Sequence, residues 1–152
     1  MASRRWMIRL LSFYPPYLGA GIRVKASADL RTLEVRMKLH WWNRNYVGTQ
    51  FGGSLYSMCD PFFMLILVEA LGKGYIVWDK AATIRFRRPG RGTVRATFHI
   101  PVVRIEEIRA AADARGKVEP TFRVDVVDDA GEVVAEVEKL LYVRLVKPEG
   151  DR

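Results

Sequence analysis

Asp60 is the residue that most invites a chemical reading. It stands in the most apolar run of the chain, where Leu55, Met58, Phe62, Phe63, Met64, Leu65, Ile66, Leu67, Val68 and Leu71 leave almost no polar face. Pro61 follows it at once. A lone carboxyl in such surroundings is costly unless it is paired, hydrogen-bonded or used. Apolar burial also raises a carboxyl's pKa toward the range in which it can move a proton. Other candidates flank it. Asn45, Thr49 and the pair Gly52-Gly53 lie in the polar loop that feeds the apolar run, and Asp79-Lys80 follows it. Arg85, Arg87, Arg88 and Arg91, with Arg95 close behind, form a basic cluster around a Pro-Gly turn. Cys59 reads as a small hydrophobe rather than a nucleophile. On an unbroken helix at ~100° per residue, Glu69 falls about half a revolution from Asp60, so those two carboxylates would not pair.

The elements that must position these residues follow from hydrophobic periodicity. Ile22 to Leu30 and Thr32 to Trp41 alternate apolar and polar side chains, the signal of an antiparallel hairpin turning at Arg31. His40 then falls on the solvent face. The apolar run predicts one long buried helix over 54–71, closed by Gly72 and Gly74. Tyr75 to Arg88 predicts a strand with Trp78, Lys80, Ala82, Ile84 and Phe86 on one face and Asp79, Ala81, Thr83 and Arg85 on the other. A strand from Thr93, a peripheral helix over 104–115 and a final hairpin turning at Asp128-Asp129-Ala130-Gly131 complete the chain. In the last strand the inward residues are Val133, Ala135, Val137, Leu141, Val143 and Leu145. Trp6 to Phe13 predicts a short lid or packing helix ending before Pro15-Pro16. About six antiparallel strands around one buried helix make a single α+β domain over 1–152, with an N-terminal helical segment over 1–20.

The chain has 152 residues and a formal charge of +8, with eighteen Arg and seven Lys. That balance suits an anionic partner, whether nucleic acid, an acidic membrane surface or a phosphate-bearing small molecule, and equally a merely soluble surface. The aromatic residues fall mostly on core faces and do not interleave with exposed arginines, which argues against nucleic acid. One cysteine allows no internal disulfide, so the expected location is cytoplasmic. The apolar run contains Asp60, Pro61 and Glu69, which argues against a transmembrane segment. No metal-spaced His or Cys, phosphate loop or nucleophile elbow is present.

Asn45-x-x-Gly48-Thr49-x-Phe51-Gly52-Gly53 followed by Asp60 resembles the signature of hotdog-fold acyl-CoA thioesterases of the PaaI type. In that family an Asn, a Gly-Thr pair, a His-Gly-Gly and a helical Asp or Glu occur at these spacings. The runs N-R-N-Y-V-G-T-Q-F-G-G-S-L-Y, V-W-D-K-A-A and R-F-R-R-P-G-R-G are similar to a hotdog group known only as a domain of unknown function. The resemblance implies a hotdog fold and hydrolysis of an acyl thioester. Asp60 would act as general base or nucleophile, Asn45 would hold water or substrate, and the Gly52 and Gly53 N–H groups would polarise the carbonyl. Phe51 stands where the family has His, and a phenyl ring neither donates a hydrogen bond nor carries a proton. A non-catalytic module that binds acyl-CoA or fatty acyl groups is therefore the alternative. Thr49 and Phe51 would line the substrate, and Asp79 and Lys80 would either enter a neighbouring subunit's site or form an ordinary charged pair. Arg85, Arg87, Arg88 and Arg91 would hold the phosphates of coenzyme A or lie in a solvated loop. The resemblance further implies a homodimer or dimer of dimers and no cofactor other than coenzyme A within the substrate.

Overall fold

A computed structural model describes residues 6–8 and 10–146. Part of the N-terminal helical segment expected over 1–20 lies outside the described residues. The N-terminal segment is helical where expected: residues 6–8 and 10 are α-helical and the run ends before Pro15-Pro16. It closes in a 3-10 turn at Leu11–Phe13, and a further helix that was not expected, α1, Pro15–Ala20, begins at the two prolines. Proline lacks only an N–H that the first helical turn would leave unpaired, so it fits there. Buried Tyr17 makes α1 a packing helix.

Strands β1 (Ile22–Ala26) and β2 (Thr32–Lys38) form the expected antiparallel pair, with Val24 opposite Val35. Their link is longer than the sequence suggested. Ser27 Oγ donates to Asp29 Oδ1 at 2.6 Å and the Arg31 N–H donates to the same oxygen at 3.1 Å, tightening residues 27–31 into the turn. β2 stops at Lys38, so Trp41, expected inward, is exposed instead. Buried Asn43 takes over there. It accepts from the His40 N–H at 2.7 Å and donates to the carbonyls of Lys38 and Ala20 at 2.8 and 2.9 Å.

The apolar run is not one helix over 54–71. It forms α2, Gly52–Ser57, and α3, Phe62–Leu71. Proline disfavours helical backbone in the residue before it and has no N–H to continue the ladder, so the chain turns at Asp60-Pro61. The half-revolution argument for Glu69 therefore loses its unbroken helix. α3 is the core helix: Phe62, Phe63, Ile66, Leu67 and Leu71 are buried. Phe62 and Phe63 pack on Phe98 with ring centres 4.9 and 5.1 Å apart. Each such buried ring contributes about 1.5–3 kcal/mol relative to exposure.

The remaining elements are β3 (Tyr75–Phe86), β4 (Thr93–His99), α4 (Val102–Arg115), β5 (Lys117–Val118), β6 (Thr121–Val127) and β7 (Val133–Leu145). One seven-stranded sheet runs β1-β2-β4-β6-β7-β3, with β5 alongside β7. All the described pairings are antiparallel. β3 is thus an edge strand, and its register carries the main departure from the sequence reading. Asp79 sits opposite Leu141 but Ala81 sits opposite Leu140, so Lys80 is an extra residue in a bulge. A bulge reverses which alternate residues face the core. Asp79 consequently joins Ala82 and Ile84 on the helix side, where the sequence placed it on the opposite face. Residues Gly52–Leu71, the stretch among the described residues apolar and long enough to cross a membrane, are split between α2 and α3.

Candidate functional site

Asp60 is not isolated. Its Oδ1 accepts a hydrogen bond from Lys139 Nζ at 2.7 Å, and the same ammonium lies 3.2 Å from Asp79 Oδ1 and 3.1 Å from the Tyr56 hydroxyl. The ammonium also lies 5.2 Å from the centre of the Tyr56 ring. Four elements deliver these groups: α2, the turn before α3, the bulged β3, and β7. The side chain of Lys139 is 0% exposed, that of Asp79 21% and that of Asp60 43%, so charge is graded from a sealed cation to an accessible carboxylate. The Tyr17 hydroxyl donates to the backbone carbonyl of Asp60, tying α1 to the same turn.

The electrostatics follow from this packing. Burial alone would pull the Lys139 ammonium down. Hydrogen bonds to Asp60 and Tyr56, with the charge of both aspartates, outweigh it and hold the ammonium above its ordinary value. Asp79 is pushed up, first by burial; Lys139 opposes that shift, and the neighbouring Asp60 carboxyl reinforces it. Burial also raises the Cys59 thiol to about 12, which leaves it unreactive near neutral pH. Lys139 was missed by the sequence reading, although a signal was present. Val137, Leu141 and Val143 occupy alternate inward positions of β7, and the skipped member of that row is Lys139.

The loop residues gather elsewhere. Asn45 Nδ2 donates to Thr49 Oγ1 at 2.9 Å, and Asn45 Oδ1 accepts from the Thr49 N–H at 2.9 Å. Buried Gln50 donates to the Gly92 carbonyl at 3.1 Å. Asn45 and Thr49 thus hold each other and close the loop that delivers Gly52 to the start of α2. Gly52 is required for close approach: an added Cβ would lie 3.1 Å from the Phe86 ring. Its φ is not positive. Phe51 is 56% exposed, and its ring would meet a Cβ on Gly53 at 2.6 Å. Asn45, Thr49, Gly52, Phe86, Arg87 and Arg88 line an open cleft of about 410 Å³ that Asp60 does not line. Within one chain, the helix start and the Asp60 carboxylate therefore do not converge on a single point.

The other candidates disperse. Lys80, thrown outward by the bulge, donates to both carboxylate oxygens of Glu119 at 2.8 Å. Arg87 pairs with Glu136 at 2.6 Å, Arg88 with Glu132 at 2.8 Å and Arg95 with Asp129 at 2.5 Å. Arg85 and Arg91 form no ion pair among the described residues. His40 stacks on Trp42 at 4.2 Å, away from the carboxylates.

Solved structures share this architecture. The Pseudomonas aeruginosa protein PA5026, described as a probable thioesterase, superposes with a TM-score of 0.83 at 24% identity, covering 93% of this chain and 95% of that one. The Haemophilus influenzae thioesterase HI1161 gives 0.67 at 16% identity over 93% and 92% of the two chains. The Escherichia coli PaaI protein from the phenylacetic acid degradation operon gives 0.62 at 17% identity over 95% of each. No curated protein matches the sequence. The architecture is therefore the α+β hotdog fold that the motif resemblance implied. Residues 3–143 match the family described as a domain of unknown function (DUF4442), and the chain belongs to that family.

Proposed function

We propose that the protein is an acyl-CoA thioesterase in which Asp60 is the reacting carboxylate. The observation that carries this reading is an accessible Asp60 held at 2.7 Å by a sealed ammonium, in a fold shared with thioesterases. In the base mechanism, Asp60 takes a proton from water while the water oxygen adds to the thioester carbon. The carbonyl electrons move onto its oxygen, where the unpaired N–H groups at Gly52 and Gly53 stabilise the charge. Collapse breaks the carbon–sulfur bond, and the protonated Asp60 gives its proton to the departing coenzyme A thiolate. The nucleophile variant has Asp60 itself add to the carbon, followed by hydrolysis of the anhydride. Isotopic oxygen from water entering Asp60 in a single turnover separates the two.

Because Gly52 and Asp60 lie at opposite ends of α2, a complete site takes both from different copies. Edge strand β3 supplies the means. It is twelve residues long, with Phe86 55% exposed at its end, and an uncovered edge of that length invites pairing with a second copy. A homodimer joined along β3 would set one chain's Gly52 opposite the other's Asp60, and two dimers could associate further. Arg85 and Arg91, which form no ion pair among the described residues, would hold coenzyme A phosphates. No metal or cofactor is needed. A panel of short, long and aromatic acyl-CoAs tests the reading: turnover by the wild type and its loss in Asp60→Asn are expected, and no turnover on any of them rejects it.

Phe51 supports a second reading, a module that binds an acyl chain without cleaving it. Its ring lies against Gly53 and offers no proton. Saturable binding of acyl-CoA without hydrolysis, with turnover appearing in Phe51→His, would mark it as a degenerate enzyme.

A further inference from the structure

Three charged side chains meet at the candidate site, and their count does not balance: one ammonium faces two carboxyls. Replacing a buried ion cluster by apolar side chains of similar size is often neutral or stabilising, so fold stability does not explain a lysine at this position. A leucine at 139 would continue the inward row of Val137, Leu141 and Val143. The geometry separates the two aspartates. Asp60 accepts a formed hydrogen bond from Lys139 and is the more accessible carboxyl. Asp79 Oδ1 is buried and, although 3.2 Å from the ammonium, has no aligned donor.

We propose that Lys139 is a positioning residue that fixes Asp60 as the charged, outward member of a two-carboxyl pair, with Asp79 as the inward member that takes the pair's proton. The inference rests on the reading of Asp60 as the reacting group and deepens it. The ammonium aims one carboxylate at solvent. The bulge at Lys80 turns Asp79 inward behind it, so that the two carboxyls differ in exposure and need not both carry charge. The titratable groups facing the pair are Tyr17 from α1, Tyr56 from α2, Cys59 beside Asp60, and Lys139 from β7. Tyr17 is raised, first by burial, and Cys59 is raised likewise, so neither titrates between acid and neutral pH. Changes in that range report the carboxyl pair.

The test is a carbon-13 titration of the aspartate carboxyls in the wild type, Lys139→Met and Asp79→Asn, with Asp60→Asn used for assignment. Lys139→Met is expected to move the pair's titration upward by about 1–3 pH units, the size expected for removing an adjacent opposite charge. Asp79→Asn is expected to remove one of two coupled steps and leave the other at lower pH. Opposite shifts from two neighbouring truncations are not what a packing role produces. The acid limb of the kcat profile should follow the same two directions, with KM little changed. If Lys139→Met does not fold, Asp79→Asn decides alone: two steps still present, or a remaining step unmoved, overturns the proposal. An unmoved titration with Asp60-dependent hydrolysis intact rejects the positioning role and leaves the thioesterase reading. Shifts as stated in a protein that cleaves no acyl-CoA support the charge arrangement and reject that reading.

Discussion

The loop from Asn45 to Gly53 and the Asp60–Asp79–Lys139 cluster are both polar assemblies at the ends of α2, yet they are built in opposite ways. In the loop, Asn45 and Thr49 satisfy each other across four residues of chain. In the cluster, Lys139 and Asp60 are separated by 79 residues, and Asp79 joins them because β7 and β3 pair in one register. The loop is neutral and closed, with its donors and acceptors largely spent on shape. The cluster is charged and unbalanced, with one member left open to solvent. Such a contrast divides labour: local hydrogen bonds place the helix start, and the long-range ion cluster supplies the reacting charge.

The largest effect should come from the open member. Asp60→Asn should lower acyl-CoA turnover by at least ~10²-fold, the scale of a positioned general base, with the thermal transition retained. A variant as active as wild type would move the chemistry out of the cluster. Lys139→Met should follow, costing about 1–3 kcal/mol because it leaves the half-buried Asp79 without its cation, the more accessible Asp60 being screened by solvent. Adding Asp79→Asn should recover part of that loss, and urea midpoints at constant slope measure both. Asn45→Ala should cost ~1–3 kcal/mol by leaving the buried Thr49 N–H without its acceptor. It should leave the carboxyl titration untouched; a shifted titration would show the two assemblies to be coupled rather than separate.

The pH dependence of stability sharpens the same comparison. Asp79 is raised in the folded protein, so its contribution is fully present below the ordinary carboxyl value of about 3.9 and is lost as pH rises through the raised one. Wild type should therefore weaken relative to Asp79→Asn as pH climbs toward neutral. Parallel stability curves for the two proteins would contradict this. Smallest of all, Arg88→Ala should change stability by no more than ~0.5 kcal/mol, because its pair with Glu132 is exposed and screened by solvent. A larger loss would give the arginine turn a structural part that its geometry does not suggest.

The sequence by itself determined the elements whose causes are local. Alternation in Thr32–Lys38 and Val133–Leu145 set most of the residues that line the core, and the family resemblance implied a helix start at Gly52. Asp60 was conspicuous because a carboxyl among apolar neighbours is anomalous in any fold. Pro61 carried the information that the long helix breaks, since the restriction on the preceding residue is covalent. What only the tertiary structure decided was what Asp60 meets. Lys139 stood in an inward position of β7, but an inward lysine has no meaning until its partner is known. Asp79 seemed to face the other way, because alternation counted along β3 cannot show an extra residue at Lys80. A bulge exists only relative to the strand beside it. Alternation along an unbulged strand is a property of the chain, whereas the meeting of three charges from β3, β7 and the α2–α3 turn depends on the sheet's register and on the helices packed against it.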